Sequence, residues 1–154
     1  MNKTRFLTHA AIIAALYAAL TILLAPISYG QMQVRVSEAL TVLPFFTPAA
    51  IPGLFVGCLL ANIYGGNGLP DIVFGSLATL MAAFLSYKIQ KKYLVPLPPV
   101  IINAVVVGLI LNYVLKVPLL AAMGWVAFGQ TVACYGLGYP LILFMEKYRH
   151  KIFK

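Results

Sequence analysis

Residues 6–27 read FLTHAAIIAALYAALTILLAPI, and this stretch decides the class of the fold. From Phe6 to Ile27 no side chain carries a full charge, and Lys3 and Arg5 stand just before it. About 20 apolar residues in helical form cross the roughly 30 Å hydrocarbon layer of a bilayer. The run continues without an A-x-A-type cleavage site, so an uncleaved first span is expected rather than a removed signal peptide. The rest of the chain has the same character. Among 154 residues, 62% are hydrophobic and only three, Glu38, Asp71 and Glu146, are acidic. Mean hydropathy is +0.96. Soluble domains carry about 25% charged residues, against 9% here. Continuous rather than alternating apolar runs exclude a membrane barrel.

Six spanning helices would use about 120 residues, which leaves short loops and no soluble domain. The expectation is an all-α integral membrane protein, a compact six-transmembrane-helix bundle forming one domain over residues 1–154. Helix 1 reads from Arg5 to Leu24. Helix 2, from Ser37 to Phe46, is too short to cross alone; it borrows from the preceding loop or lies inside the bundle. Helix 3 covers Ala50 to Tyr64, helix 4 Pro70 to Gln90, helix 5 Val100 to Leu115 and helix 6 Leu119 to Met145, followed by a basic tail. This arrangement puts Lys3, Arg5, Lys88, Lys91, Lys92, Lys147, Arg149, Lys151 and Lys154 on one face and leaves Arg35 and Lys116 on the other. By the positive-inside rule both termini are then cytoplasmic; the expected location is a cell membrane, of prokaryotic plasma-membrane type.

The net charge of +8 lies at the ends of apolar runs. It does not form the basic, aromatic-interleaved stripe of a nucleic-acid binder. Cys58 and Cys134 sit within apolar runs, without metal spacing. No phosphate-binding loop and no intramembrane His–carboxylate cluster occurs, so no metal, cofactor or catalytic centre is expected in this chain.

Functional candidates are the few polar residues placed among apolar ones. Gln31, Gln33, Arg35, Ser37 and Glu38 crowd the first loop and the start of helix 2. Arg35 and Glu38 are close enough along the chain to pair, and Glu38 also suits the first turn of a helix. Asn103 and Gln130 lie within apolar helices; Asn62 and Asn112 lie nearer helix ends. An intramembrane amide serves as interhelical glue or as a reader of a ligand edge. Asp71 sits at an outer helix start, where it caps the helix or takes part in ligand binding. Trp125 and Tyr135, with Tyr64 and Tyr113, stack on a flat ring or form an interfacial belt. Helix 1 carries two small-residue ridges, Ala10, Ala14, Ala18 and Ala11, Ala15, Ala19. Such ridges admit a closely approaching helix, from a partner or from the same bundle.

Three stretches also resemble a known family: Gln33–Pro48 continued by Ala50–Cys58, Asp71–Leu80, and Leu97–Ala104. They are similar, in order, to the QueT family. The resemblance implies an S component, the substrate-binding subunit of an energy-coupling factor (ECF) importer. It implies as partners a transmembrane T component and two ATPase subunits, and as cargo a 7-deazaguanine precursor of queuosine. It implies that the alanine ridges of helix 1 meet the T component, and that Glu38, Arg35, Asn103, Gln130, Asp71, Tyr135 and Trp125 are the residues to examine for ligand binding. The family often carries Glu where this chain has Gln130. Loop 1 and Gly65–Gly68 are the expected lids. Two other classes compete. An ion-coupled secondary transporter needs titratable groups along a midplane path, whereas the acids here fall at expected helix ends. A membrane enzyme lacks its catalytic cluster.

Overall fold

The computed structural model describes residues 2–30 and 32–152; Gln31 and Lys154, named above, lie outside them. Among the described residues every regular element is helical. The order is α1 (Lys3–Leu23), α2 (Ala25–Ser28), a 3-10 helix (Val36–Phe45), α3 (Ala50–Gly65), a π turn (Asp71–Gly75) leading into α4 (Ser76–Lys88), a short 3-10 turn (Lys92–Leu94), α5 (Leu97–Leu115), α6 (Leu119–Thr131), a π segment (Val132–Gly138) and α7 (Tyr139–Ile152). Among the described residues four stretches are long and apolar enough to cross a membrane: Lys3–Leu23, Asp71–Lys88, Lys92–Leu115 and Leu119–Ile152. Val36–Phe45 and Ala50–Gly65 are shorter apolar helices.

Four features differ from the sequence expectation. The first helix ends at Leu23, and Pro26 sits in the first turn of its own short helix, where its missing N–H is no loss. The second helix is 3-10 throughout its ten residues, although such runs seldom exceed three or four. At about 2.0 Å per residue it reaches about 20 Å, where an α-helix of the same length reaches about 15 Å. The Thr41 hydroxyl donates to the carbonyl of Glu38 at 2.6 Å, reinforcing the i to i+3 pattern from within. Ser37 does not cap this helix; its hydroxyl lies 2.6 Å from that of Thr21 on α1. The expected helix 6 is interrupted by the π segment Val132–Gly138, and the basic tail is helical as far as Ile152.

Packing follows the small residues. Lipid chains are as apolar as leucine, so close van der Waals contact rather than water exclusion holds intramembrane helices together. α1 lies against α3 where Gly53 and Gly57 face Ala10 and Ala14: a Cβ at Gly53 would lie 2.7 Å from the Ala10 carbonyl, and one at Gly57 2.8 Å from that of Ala14. Ile13 and Tyr17 of α1, Leu54 and Cys58 of α3, Ala83 of α4, Leu43 of the 3-10 helix and Met145 of α7 share one core. Val107 and Leu111 of α5 pack with Ala122 and Val126 of α6 in a second. The 3-10 helix is enclosed by these layers, with Ser37, Glu38, Thr41, Val42 and Leu43 all buried.

Candidate functional site

The 3-10 helix carries Glu38 into the middle of the bundle, where it is 1% exposed. A carboxylate at such a place needs donors on it, because its water has been removed. Two elements supply them, and a third comes alongside. Tyr17 of α1 donates its hydroxyl to Oε1 at 2.5 Å. Asn103 of α5 places its amide nitrogen 3.4 Å from Oε2. The Gln130 side chain of α6 lies beside the same carboxyl group. The Glu38 backbone carbonyl is held separately, by Thr41 and by the Cys134 thiol at 3.6 Å. That thiol also lies 3.6 Å from Gln130 Oε1, linking the π segment to the amide. Loop 1 passes directly over this region: a Cβ on Gly129 would meet the carbonyl of Met32, so only glycine lets the loop lie so close beside Gln130.

Arg35, three residues earlier, faces away. Its backbone is extended and its guanidinium, 3% exposed, enters a second polar cluster. Nη1 donates to Asn62 Oδ1 at 3.0 Å, Nε to the Ser28 carbonyl at 3.4 Å, and Nη2 lies 3.6 Å from Asp71 Oδ2. The ion pair of Arg35 is thus with Asp71, not with the sequence neighbour Glu38. Asp71 opens the π turn without a side-chain cap bond and also accepts from Asn67 at 3.2 Å. Asn62 joins the cluster together, donating to the Asp71 carbonyl at 3.0 Å and lying 3.3 Å from the Ser76 hydroxyl. Tyr29 lies against the same guanidinium, 5.7 Å from ring centre to Arg35 Cζ.

The sequence candidates therefore separate. Glu38, Asn103 and Gln130 meet in one cluster, Arg35 and Asp71 in a neighbouring one. Tyr135 is elsewhere, its hydroxyl 3.2 Å from the Tyr93 carbonyl. Trp125 is half-buried on α6 and supplies no hydrogen bond to Glu38. Asn112 caps the end of α5 through the Val117 carbonyl at 2.7 Å. Glu146, the third acid, pairs on the surface with Lys92 at 3.0 Å. Of the alanine ridges, Ala14 and Ala18 are buried and Ala10 is partly covered, whereas Ala11, Ala15 and Ala19 are exposed. Tyr17, the strongest donor to Glu38, was not among the candidates. The available signal was the scarcity of acids: each of three carboxylates in an apolar chain requires a donor from a facing helix, and α1 offers this tyrosine within its apolar run.

These groups can accept from and donate to a small polar molecule: one carboxylate flanked by two amides, each amide both donor and acceptor. Asn103 is 2% and Gln130 3% exposed. Among the described residues no group of His, Cys, Asp and Glu is arranged to hold a metal ion.

The chain is 40% identical over 87 residues to a Lactococcus lactis subsp. cremoris (strain MG1363) protein named "Queuosine precursor transporter QueT", a match covering 55% of this chain and 50% of that protein. The chain thus spans about half the length of that relative. No solved structure matches. A family model described as "QueT transporter" matches residues 7–147, nearly the whole chain, and the protein belongs to the QueT transporter family.

Proposed function

We propose that this chain is the substrate-binding S component of an ATP-dependent ECF importer. Its cargo would be a 7-deazaguanine precursor of queuosine, captured from outside the cell. The observation that carries the reading is the Glu38 carboxylate, buried yet bonded by Tyr17 and Asn103 from two separate helices, with Gln130 of a third beside it. The deazaguanine edge presents adjacent N–H donors and a carbonyl, which suit a carboxylate beside two amides. The Lactococcus relative's name supports the same cargo. In this reading the chain makes six crossings with both termini cytoplasmic, Val36–Phe45 and Ala50–Gly65 completing the set of four longer helices. The T component and two ATPases supply the energy; this chain performs no catalysis. Trp125 and Tyr135 stack on the base only if the bundle rearranges on loading.

Glu38→Gln is the test. An amide in place of the carboxylate removes an acceptor and points a donor at groups that are themselves donors. Affinity for 7-aminomethyl-7-deazaguanine, followed by native mass spectrometry and titration, is expected to fall at least tenfold, about 1.4 kcal/mol. Unchanged affinity removes Glu38 from the site. The docking half has its own test. Ala11, Ala15 and Ala19 remain exposed after the other ridge has packed on α3. Ala15→Leu should leave ligand affinity within twofold and abolish uptake that depends on the ATPase module; normal uptake would place the docking face elsewhere.

A second reading, an ion-coupled transporter acting alone, draws support from the burial of Glu38 and Asp71 inside the bundle. Titratable groups at such depth are what proton- or ion-driven carriers need. Reconstitution separates the two. Uptake by the purified chain alone under an ion gradient would establish the second reading and remove the first.

A further inference from the structure

Glu38 is not held symmetrically. Oε1 receives the Tyr17 hydroxyl at 2.5 Å, whereas Oε2 has Asn103 at 3.4 Å, the long end of the hydrogen-bonding range. We infer that Tyr17 is a positioning residue that clamps Glu38 by Oε1 and presents Oε2 as the oxygen a ligand takes. The inference rests on the ligand reading above and narrows it. The cargo must bring one N–H to Oε2, with a neighbouring acceptor or donor for the amides of Asn103 and Gln130, as the lactam edge of a planar heterocycle does.

The surroundings of Tyr17 fit a clamp. The residue is 0% exposed. Its Cβ lies against α3 at Gly57, where an added side chain would come within 2.8 Å. Its own carbonyl accepts from Thr21 at 2.8 Å, and the Thr21 hydroxyl lies 2.6 Å from that of Ser37, the residue before Glu38. α1 therefore grips the 3-10 helix at two consecutive residues. A carboxylate has about four acceptor positions, so ligand and Tyr17 need not compete: one oxygen is fixed and the other stays available. Supporting a ligand-binding group by a second locked group is how a site keeps its geometry within about 0.5 Å.

The test reads the carboxylate directly. The chain has only three side-chain carboxyl groups, so the infrared spectrum of the full-length protein minus that of Glu38→Gln isolates the Glu38 band. In Tyr17→Phe that band is expected to shift, affinity for 7-aminomethyl-7-deazaguanine to fall about tenfold, and the protein to remain folded by thermal unfolding. An unmoved band in the folded variant overturns the clamp. So does a moved band with unaltered affinity. If Tyr17→Phe fails to fold, the wild-type difference spectrum between ligand-bound and free protein decides: a shifted Glu38 band on loading supports the assignment, and an unmoved Glu38 band with ligand bound overturns it. Absence of binding by the wild type is a separate failure, that of the cargo reading and of the role given to Oε2, while the Tyr17→Phe band still decides whether the clamp exists.

Discussion

Asp71→Ala is expected to destabilise the protein by about 3–5 kcal/mol, the usual consequence of removing one partner from a buried ion pair. Arg35 and Asp71 are 3% and 1% exposed, so neither charge can be rehydrated without opening the bundle. Arg35 would keep its bonds to Asn62 and to the Ser28 carbonyl, but both acceptors are neutral and the positive charge would lose its ion-pair partner. The effect should spread, because the pair ties loop 1 to α3 and to the π turn that starts α4. Unfolding in mild detergent followed by denaturant titration measures the loss. The double variant Arg35→Met, Asp71→Leu should recover most of it, since the charge and its partner leave together. A single-variant loss below about 1 kcal/mol, the range of a solvent-screened pair, would show that Arg35 reaches water in the folded protein. The Glu38 carboxylate is bonded by Tyr17 and Asn103 and not by either member of this pair, so the double variant should also retain ligand affinity within a few-fold.

The contrast between Arg35 and Glu38 shows where sequence reasoning stops. Three residues apart, they pair in an α-helix, and sequence proximity favours that pairing. Here Arg35 precedes the helix with an extended backbone, and the helix that follows is 3-10, so the two side chains leave in different directions. Helix type depends on what the segment must span and on tertiary partners such as Thr21 and Cys134, neither of which is local. The apolar runs behave otherwise. α1, α3 and α5 begin and end within a few residues of their expected limits, because length, hydropathy and proline placement are local quantities. The π segment after Thr131 has no such local mark beyond Gly136 and Gly138. The two alanine ridges of α1 are equivalent as sequence; the glycines of α3, spaced by the same four residues, select Ala10, Ala14 and Ala18 for internal packing and leave the other ridge exposed. Asn103 and Gln130 were legible as isolated amides in apolar helices, but their convergence on one carboxylate is a property of how α5 and α6 pack.

Gly57→Leu should be the most damaging substitution on the α1–α3 interface, and it should impair ligand binding from a position that touches no ligand. The added Cβ alone would lie 2.8 Å from both the Ala14 carbonyl and the Tyr17 Cβ. Neither is the movable end of a flexible side chain, so α1 itself must shift. Overpacking usually costs about 1–3 kcal/mol and more where backbone must move; a loss of at least about 3 kcal/mol is expected here, measured by denaturant titration in detergent. Gly124→Leu is the control: nothing lies within 4 Å of its Cβ, and replacing a mid-helix glycine there should leave stability unchanged or raise it by about 0.5–1 kcal/mol. If Gly57→Leu unfolds with the wild-type midpoint, α1 and α3 are not packed through these glycines. If it folds but is weakened, the shift of α1 carries Tyr17 away from Glu38 Oε1. Affinity for 7-aminomethyl-7-deazaguanine should then fall as far as in Tyr17→Phe, with the same displacement of the Glu38 infrared band. Making both changes together should give no further loss of affinity, because a clamp already withdrawn has no hydroxyl contact left to remove.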